Sequence, residues 1–219
     1  SGRNTTIIRS NYGIAESVRF YQRSLELYQG LEEETGCWIM HSTKGQIWLA
    51  HSVMTARTEQ TRALMNAACG AHTDYILPDE IKARCPQIDL TGGGRYPVHG
   101  ASYHHEGATA RHDRVVWAYA QGALRKGVHI HQHTPVTGLL TESSSSGVDR
   151  VTGVQTPTGP ISAGVVLSAV GGNVSVVSGW AGVRLPIRTH ALQAFVTNAY
   201  AQEFAPIVSS KAIARRVPD

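Results

Sequence analysis

GATARHDRVVWAYA, residues Gly107–Ala120, decides how this chain is read. It sets His112 between Arg111 and Asp113, directly ahead of the almost wholly apolar run Val115, Val116, Trp117, Ala118, Tyr119 and Ala120. Thr109 can cap a helix that runs to Lys126, with Gly127 as its stop and Asp113 in the first turn, where the helix dipole favours negative charge. A helix without a polar stripe is expected to be covered on most sides. The question is why a histidine stands at its start.

Length and composition bound the answer. The chain has 219 residues, 42% hydrophobic and 16% charged, enough for one sizeable core or two small ones. Its net charge of +4 is spread without a basic block, which argues against nucleic acid as a partner. Cys37, Cys69 and Cys85 lie far apart and form no C-x-x-C pair, so neither a disulfide framework nor a zinc knuckle follows, and a reducing compartment is expected. Apolar runs such as AGVVLSAVGG are too short to span a membrane, and no charged-then-apolar leader opens the sequence, so a cytoplasmic location is the default expectation. The opening SGRNTTIIRS reads as the middle of something longer, and an internal fragment is expected.

Working outward, ESVRFYQRSLELYQGLEEETG carries Val18, Tyr21, Leu25 and Tyr28 at helical spacing, with Gly36 as a stop. WIMHSTKGQIWLAHS reads as a hairpin about TKG, followed by a helix from about Thr55 to Cys69. A short helix is bracketed by Pro78 and Pro86, and an extended segment follows the glycines Gly92–Gly94. Past the central helix, VHIHQHTPVTGLLTE is strand-like, a hairpin forms around TPTG, and Val165–Val170 reads as an apolar strand that ends in two glycines. Such a strand end lets a ligand approach the backbone.

This order of elements, with SGRNTTIIRSNY, RYPVHGASYHHEGATARHDRVVWAYA, PVTGLL, VTGVQTPTGPISAGVVLSAVGG and LPIRTHALQAFV, resembles the β subunits of heterotetrameric sarcosine oxidases, within the FAD-dependent amino-acid oxidoreductase group. The likeness runs from Ser1 to about Val208, and RHDRVVWAYA is its most specific piece. It implies a mixed α/β flavoprotein fold in two discontinuous parts. Residues of about 1–36 and 107–182 would belong to the FAD-binding domain, and 37–106 and 183–219 to the domain facing substrate and partner subunits. It also implies oxidative demethylation of sarcosine to glycine with non-covalent FAD and covalent FMN, oxygen being reduced to peroxide and tetrahydrofolate taking the one-carbon unit. Proline, dimethylglycine or an opine is the alternative substrate, and a non-catalytic subunit-interface module the alternative role.

For residues, the resemblance implies that His112 carries the FMN through an imidazole nitrogen bonded to the flavin 8α-methyl carbon. Neutral imidazole is a competent nucleophile for that bond. Arg111 and Asp113 are expected to set its tautomer and balance flavin charge. Arg3, Asn4, Thr5, Thr6 and Arg9 match the segment beside the FAD ring, Val136 the place that meets adenine, and Ala169, Val170 and Gly171 the strand end that passes the FAD. Gly172 and Asn173 depart from the G-H-S more usual there. The G-x-G-x-x-G pyrophosphate fingerprint is absent, and Gly92–Gly94 do not replace it. Catalytic residues are expected outside this stretch. The competing reading is a zinc site at His129, His131 and His133, which would share one face of a strand, with His104 and His105 upstream. With no carboxylate or cysteine close by in sequence, no metal is expected.

Overall fold

The computed structural model describes residues 5–90, 96–143, 147, 149–191, 193 and 205–210. Its elements are mixed α and β, and its contacts divide the chain into two compact units, Ser1–Val128 with Ala194–Asp219, and His129–Gln193.

In the first unit, β1 (Ile7–Ile8) leads into α1 (Ala15–Thr35). The left-handed Gly36, at φ 65°, ends α1 and returns its N–H to Glu32 O, as the glycine signal predicts. Then come β2 (Ser42–Thr43), β3 (Gln46–Ala50), α2 (Val53–Ala68), β4 (Thr73–Ile76) and α3 (Pro78–Arg84). Ser52 and Thr55 cap α2 reciprocally, the hydroxyl of each accepting from the backbone N–H of the other. Pro78 opens α3, where its missing N–H is not needed. The unit continues through β5 (Gly100–His104), β6 (Ala108–Thr109) and α4 (His112–Arg125).

Two sheets organise these elements. β6 lies between β1 and β2, antiparallel to both. The larger sheet has the order β10-β3-β5-β4, its outer strand β10 (Ile207–Ser210) running parallel to β3. Ile47, Leu49, Ile76 and Ala101 of that sheet form one core with Ile81 and Cys85. Burying each large side chain there contributes roughly 1.5–3 kcal/mol. A second core joins α1 to α4 through Leu31, Ile39, Ala110, Val115 and Ala118.

The second unit is a three-stranded antiparallel meander of β7 (Gly138–Glu142), β8 (Arg150–Thr156) and β9 (Gly159–Ser162). A 3₁₀ turn over Gly171–Asn173 and α5 (Val174–Trp180) follow. No helix among the described residues is long and apolar enough to cross a membrane. The three cysteines are free thiols.

β2 and β3 flank TKG but do not form a hairpin, because β2 pairs with β6 and β3 with β5 and β10. Thr109 is not the helix cap, since it is tied into β6 opposite both Ile7 and Ser42, and α4 begins three residues later. Nor is α4 covered on most sides: Val115 and Ala118 are buried, while Val116, Trp117 and Tyr119 are about half exposed or more. His129–His133 lie outside any strand, with His133 in the left-handed region at φ 53°, so they do not share a strand face. Val165–Val170 forms no strand among the described residues, with Val165 and Leu167 almost fully exposed. Apolar runs become strands only when a neighbour satisfies their backbone. Gly92–Gly94 lie outside the described residues.

Candidate functional site

Backbone pairing fixes the start of α4. Leaving β6, Ala110 donates its N–H to Thr6 O at 3.1 Å and Arg111 donates to Ile39 O at 2.9 Å. The chain then turns into the helix at His112.

There the guanidinium of Arg111 reaches across His112 and grips Asp113 in a two-pronged fork, Nε to Oδ1 at 3.1 Å and Nη2 to Oδ2 at 3.0 Å. That contact holds the Asp113 carboxyl down at about 2 and raises the Arg111 guanidinium further. The two flanking charges are thus spent on each other. Nδ1 of His112 is buried and has no hydrogen-bond partner among the described residues. The expected role of Arg111 and Asp113 in setting its tautomer finds no bond in this arrangement.

His112 forms part of the wall of a cavity of about 170 Å³, whose other walls are Thr6, Ile7, Ile8, Tyr28, Ala110, Val115 and Val116. The volume is below the roughly 300–1,000 Å³ of a pocket that encloses a whole small molecule, so it suits one end of a larger ligand. The lining is apolar apart from Thr6, the Tyr28 hydroxyl and the imidazole. Burial pushes the Tyr28 hydroxyl above its usual range. Thr6 sits at φ 61°, a left-handed conformation that a β-branched residue adopts only under constraint. Beside the expected Thr6 and His112, the wall takes in Tyr28 and Ile8, and the helical spacing of Tyr28 is the sequence signal that it faces inward.

The remaining candidates are placed as follows. Thr5 is exposed beside Thr6. Arg9 turns into the fold, its Nη1 donating to Asn11 O at 3.2 Å and Asn11 Oδ1 at 3.1 Å. Its guanidinium lies 4.3 Å above the Tyr12 ring and 5.1 Å from that of Trp48, and burial lowers its pKa. Arg3 and Asn4 lie outside the described residues. Val136, Ala169, Val170 and Gly171 belong to the second unit and are exposed, Val136 just ahead of β7 and Gly171 at φ 54° opening the 3₁₀ turn. In that unit, Leu139, Val151, Val166, Val174, Val177 and Leu185 help to line a separate cavity of about 370 Å³.

Residues 1–215 match the family described as FAD dependent oxidoreductase. The chain belongs to that family. Within it, this FAD dependent oxidoreductase chain is 39% identical over 211 residues to the sarcosine oxidase subunit beta of Arthrobacter sp, a match covering 96% of this chain and 51% of that protein. It is 41% identical over 198 residues to that of Rhodobacter capsulatus, covering 90% of this chain and 46% of the relative. The chain spans about half the length of the curated relatives it matches. Among solved structures, L-proline dehydrogenase from P. horikoshii superposes with a TM-score of 0.76 at 23% identity, over 93% of this chain and 52% of that one. Glycine oxidase from Geobacillus kaustophilus gives 0.72 at 17% identity, over 95% and 55%. At such identities the two structures support the fold alone.

Proposed function

We propose that this chain is part of the β subunit of a sarcosine oxidase, acting with other subunits on sarcosine, and that His112 is the covalent attachment point of FMN. The observation that carries the assignment is the buried Nδ1 of His112, without a partner among the described residues, in the wall of an apolar cavity. A buried polar atom without a partner costs about 1–3 kcal/mol, which an approaching ligand recovers. The strained Thr6 beside it is a second feature typical of ligand-holding sites.

In this reading the residues fit one end of a flavin ring. Ile7, Ile8, Val115 and Val116 exclude water from that end, and an imidazole nitrogen holds it by a bond to the 8α-methyl carbon. When bound, the flavins would supply the two-electron chemistry by which sarcosine is oxidised and oxygen reduced to peroxide, and tetrahydrofolate, where present, would accept the one-carbon unit. FAD would be held without a covalent bond, Arg3, Asn4, Thr5, Thr6 and Arg9 being the residues for its ring, Val136 for its adenine, and Ala169, Val170 and Gly171 for the strand end that would pass it. Segments 1–36 and 107–182 form the FAD side, and 37–106 and 183–219 face substrate and partners.

The test is the mass of the proteolytic peptide spanning His112, taken from the native complex. A gain of one FMN less two hydrogens, which oxygen removes when the bonded flavin is reoxidised, supports the assignment, whereas an unmodified peptide from yellow, active complex would falsify it. His112→Ala should retain FAD, release FMN on acid precipitation, and slow electron transfer to oxygen.

A further inference from the structure

The antiparallel ladder of β4 and β5 sets Thr73 opposite His104 and Asp74 opposite Tyr103, so one step further His72 stands opposite His105. The backbone closes this end, His105 N–H donating to His72 O at 3.0 Å. Alternation then sorts the side chains. Thr73 and His104 turn inward and are buried. His72, Asp74 and His105 share the opposite face, with 64%, 57% and 31% of their side chains exposed. Their ligand atoms all lie within 4.8 Å of one another.

We propose that His72, Asp74 and His105 form a binding site for a divalent late transition metal, zinc being the probe of choice. Two imidazoles and one carboxylate are a donor set suited to such ions, leaving further positions to water. The rings of His72 and His105 are stacked, centroids 3.7 Å apart and planes 5° from parallel, and both Nε2 atoms approach Asp74 Oδ2, at 3.9 Å and 2.7 Å. With metal–ligand bonds of about 2.0–2.2 Å, tetrahedral donors stand about 3.3 Å apart. Because each Nε2 lone pair lies in its ring plane, binding asks the two exposed rings to leave their stack and splay toward the ion, while the ladder holds their Cα atoms. The hydrogen between His105 Nε2 and Asp74 Oδ2 occupies the place the cation would take, so binding displaces a proton. Tyr103 packs edge-on against His105, ring centroids 4.5 Å apart, so the larger turn falls to His72, the more exposed ring. The ion would clip β4, which with β10 is an outer strand of its sheet among the described residues, to β5.

The site is independent of the flavin assignment and is read without activity. The full chain is dialysed against micromolar zinc chloride, and bound metal is counted by mass spectrometry, with circular dichroism of each sample to verify folding. One ion per chain is expected, lost or weakened at least tenfold in His72→Ala, Asp74→Asn and His105→Ala. His72→Ala is the safest of these for folding, since that side chain is the most exposed. A variant with His129, His131 and His133 all changed to Ala should keep the ion. Wild-type chain that binds no zinc, cluster variants that bind as wild type does, or loss in the triple variant instead, would each overturn the proposal.

Discussion

Glu59 and Arg62, one turn apart on α2, form an ion pair at 3.4 Å with only 3% and 11% of their side chains exposed. Ser102 of β5 donates its hydroxyl to the same carboxylate at 2.8 Å, so the helix is fastened to the sheet through a buried charge. Removing one partner of a buried pair costs far more than replacing both. Arg62→Ala should therefore lower the unfolding free energy by roughly 3 kcal/mol. The double variant Glu59→Leu, Arg62→Leu should lose less. Urea unfolding of the three proteins decides it, and an Arg62→Ala loss no larger than that of the double variant would count against the buried pair.

Gly107 and Gly30 should respond in opposite ways to alanine. A Cβ on Gly107 would lie 2.8 Å from Gln46 Cβ and 2.9 Å from its backbone nitrogen, and Lys44 and Gly45 both donate their N–H groups to Gly107 O. Neither backbone can yield without breaking that contact, so Gly107→Ala should destabilise by roughly 1–3 kcal/mol. Gly30, inside α1, meets nothing within 4 Å, and Gly30→Ala should stabilise by roughly 0.5–1 kcal/mol. Thermal melts that move the same way for both would contradict the packing described.

His104 gives the fold a pH dependence. It is fully buried, Nε2 accepting from Ser10 N–H at 3.3 Å, which leaves Nδ1 to donate to His72 O at 3.3 Å. Burial pushes its pKa from 6.5 down to about 4. Because the folded value lies below the unfolded one, the unfolded chain binds the extra proton. Stability is then complete above about pH 6.5, falls as the pH drops toward 4, and levels off below. The loss amounts to roughly 3 kcal/mol. Measured with chelator present, a His104→Asn variant should lack this part of the slope, and an unchanged slope would remove His104 as its source.

On the open face of α4, Trp117 is 60% exposed, between Val116 and Tyr119 at about half. Contiguous apolar exposure of this kind promotes association. Trp117→Lys should shift the chain toward smaller species in light scattering while changing its stability by no more than about 0.5 kcal/mol.

Sequence was most legible where one short stretch contains both partners of an interaction. Gly36 ends α1 and Pro78 opens α3 through their own dihedral preferences. The β8–β9 turn lies within TPTG. It was least legible where the partner is distant. The two runs around TKG look like a hairpin, yet each finds its strand some sixty residues away in β5 or β6. At the candidate site, the R-H-D motif pointed to His112, but the cavity needed Tyr28 and Ile8, brought there by β1 and α1. The adjacent histidines in SYHH read alike, and only the ladder shows that His104 is a buried structural group while His105 faces solvent.

The parallel strand β10 sets a schedule for synthesis. It places Ile207 opposite Gln46 and is thus made about 160 residues after the strand it completes, with the whole second unit in between. At roughly 5–20 residues per second, the ribosome leaves the Gln46–Ala50 edge without its neighbour for roughly 8–30 s. That edge, QIWLA, is apolar and rich in unpaired backbone groups during the interval. A nascent chain stalled before Ile207 therefore offers other chains a strand-shaped vacancy, which makes translation speed a determinant of yield.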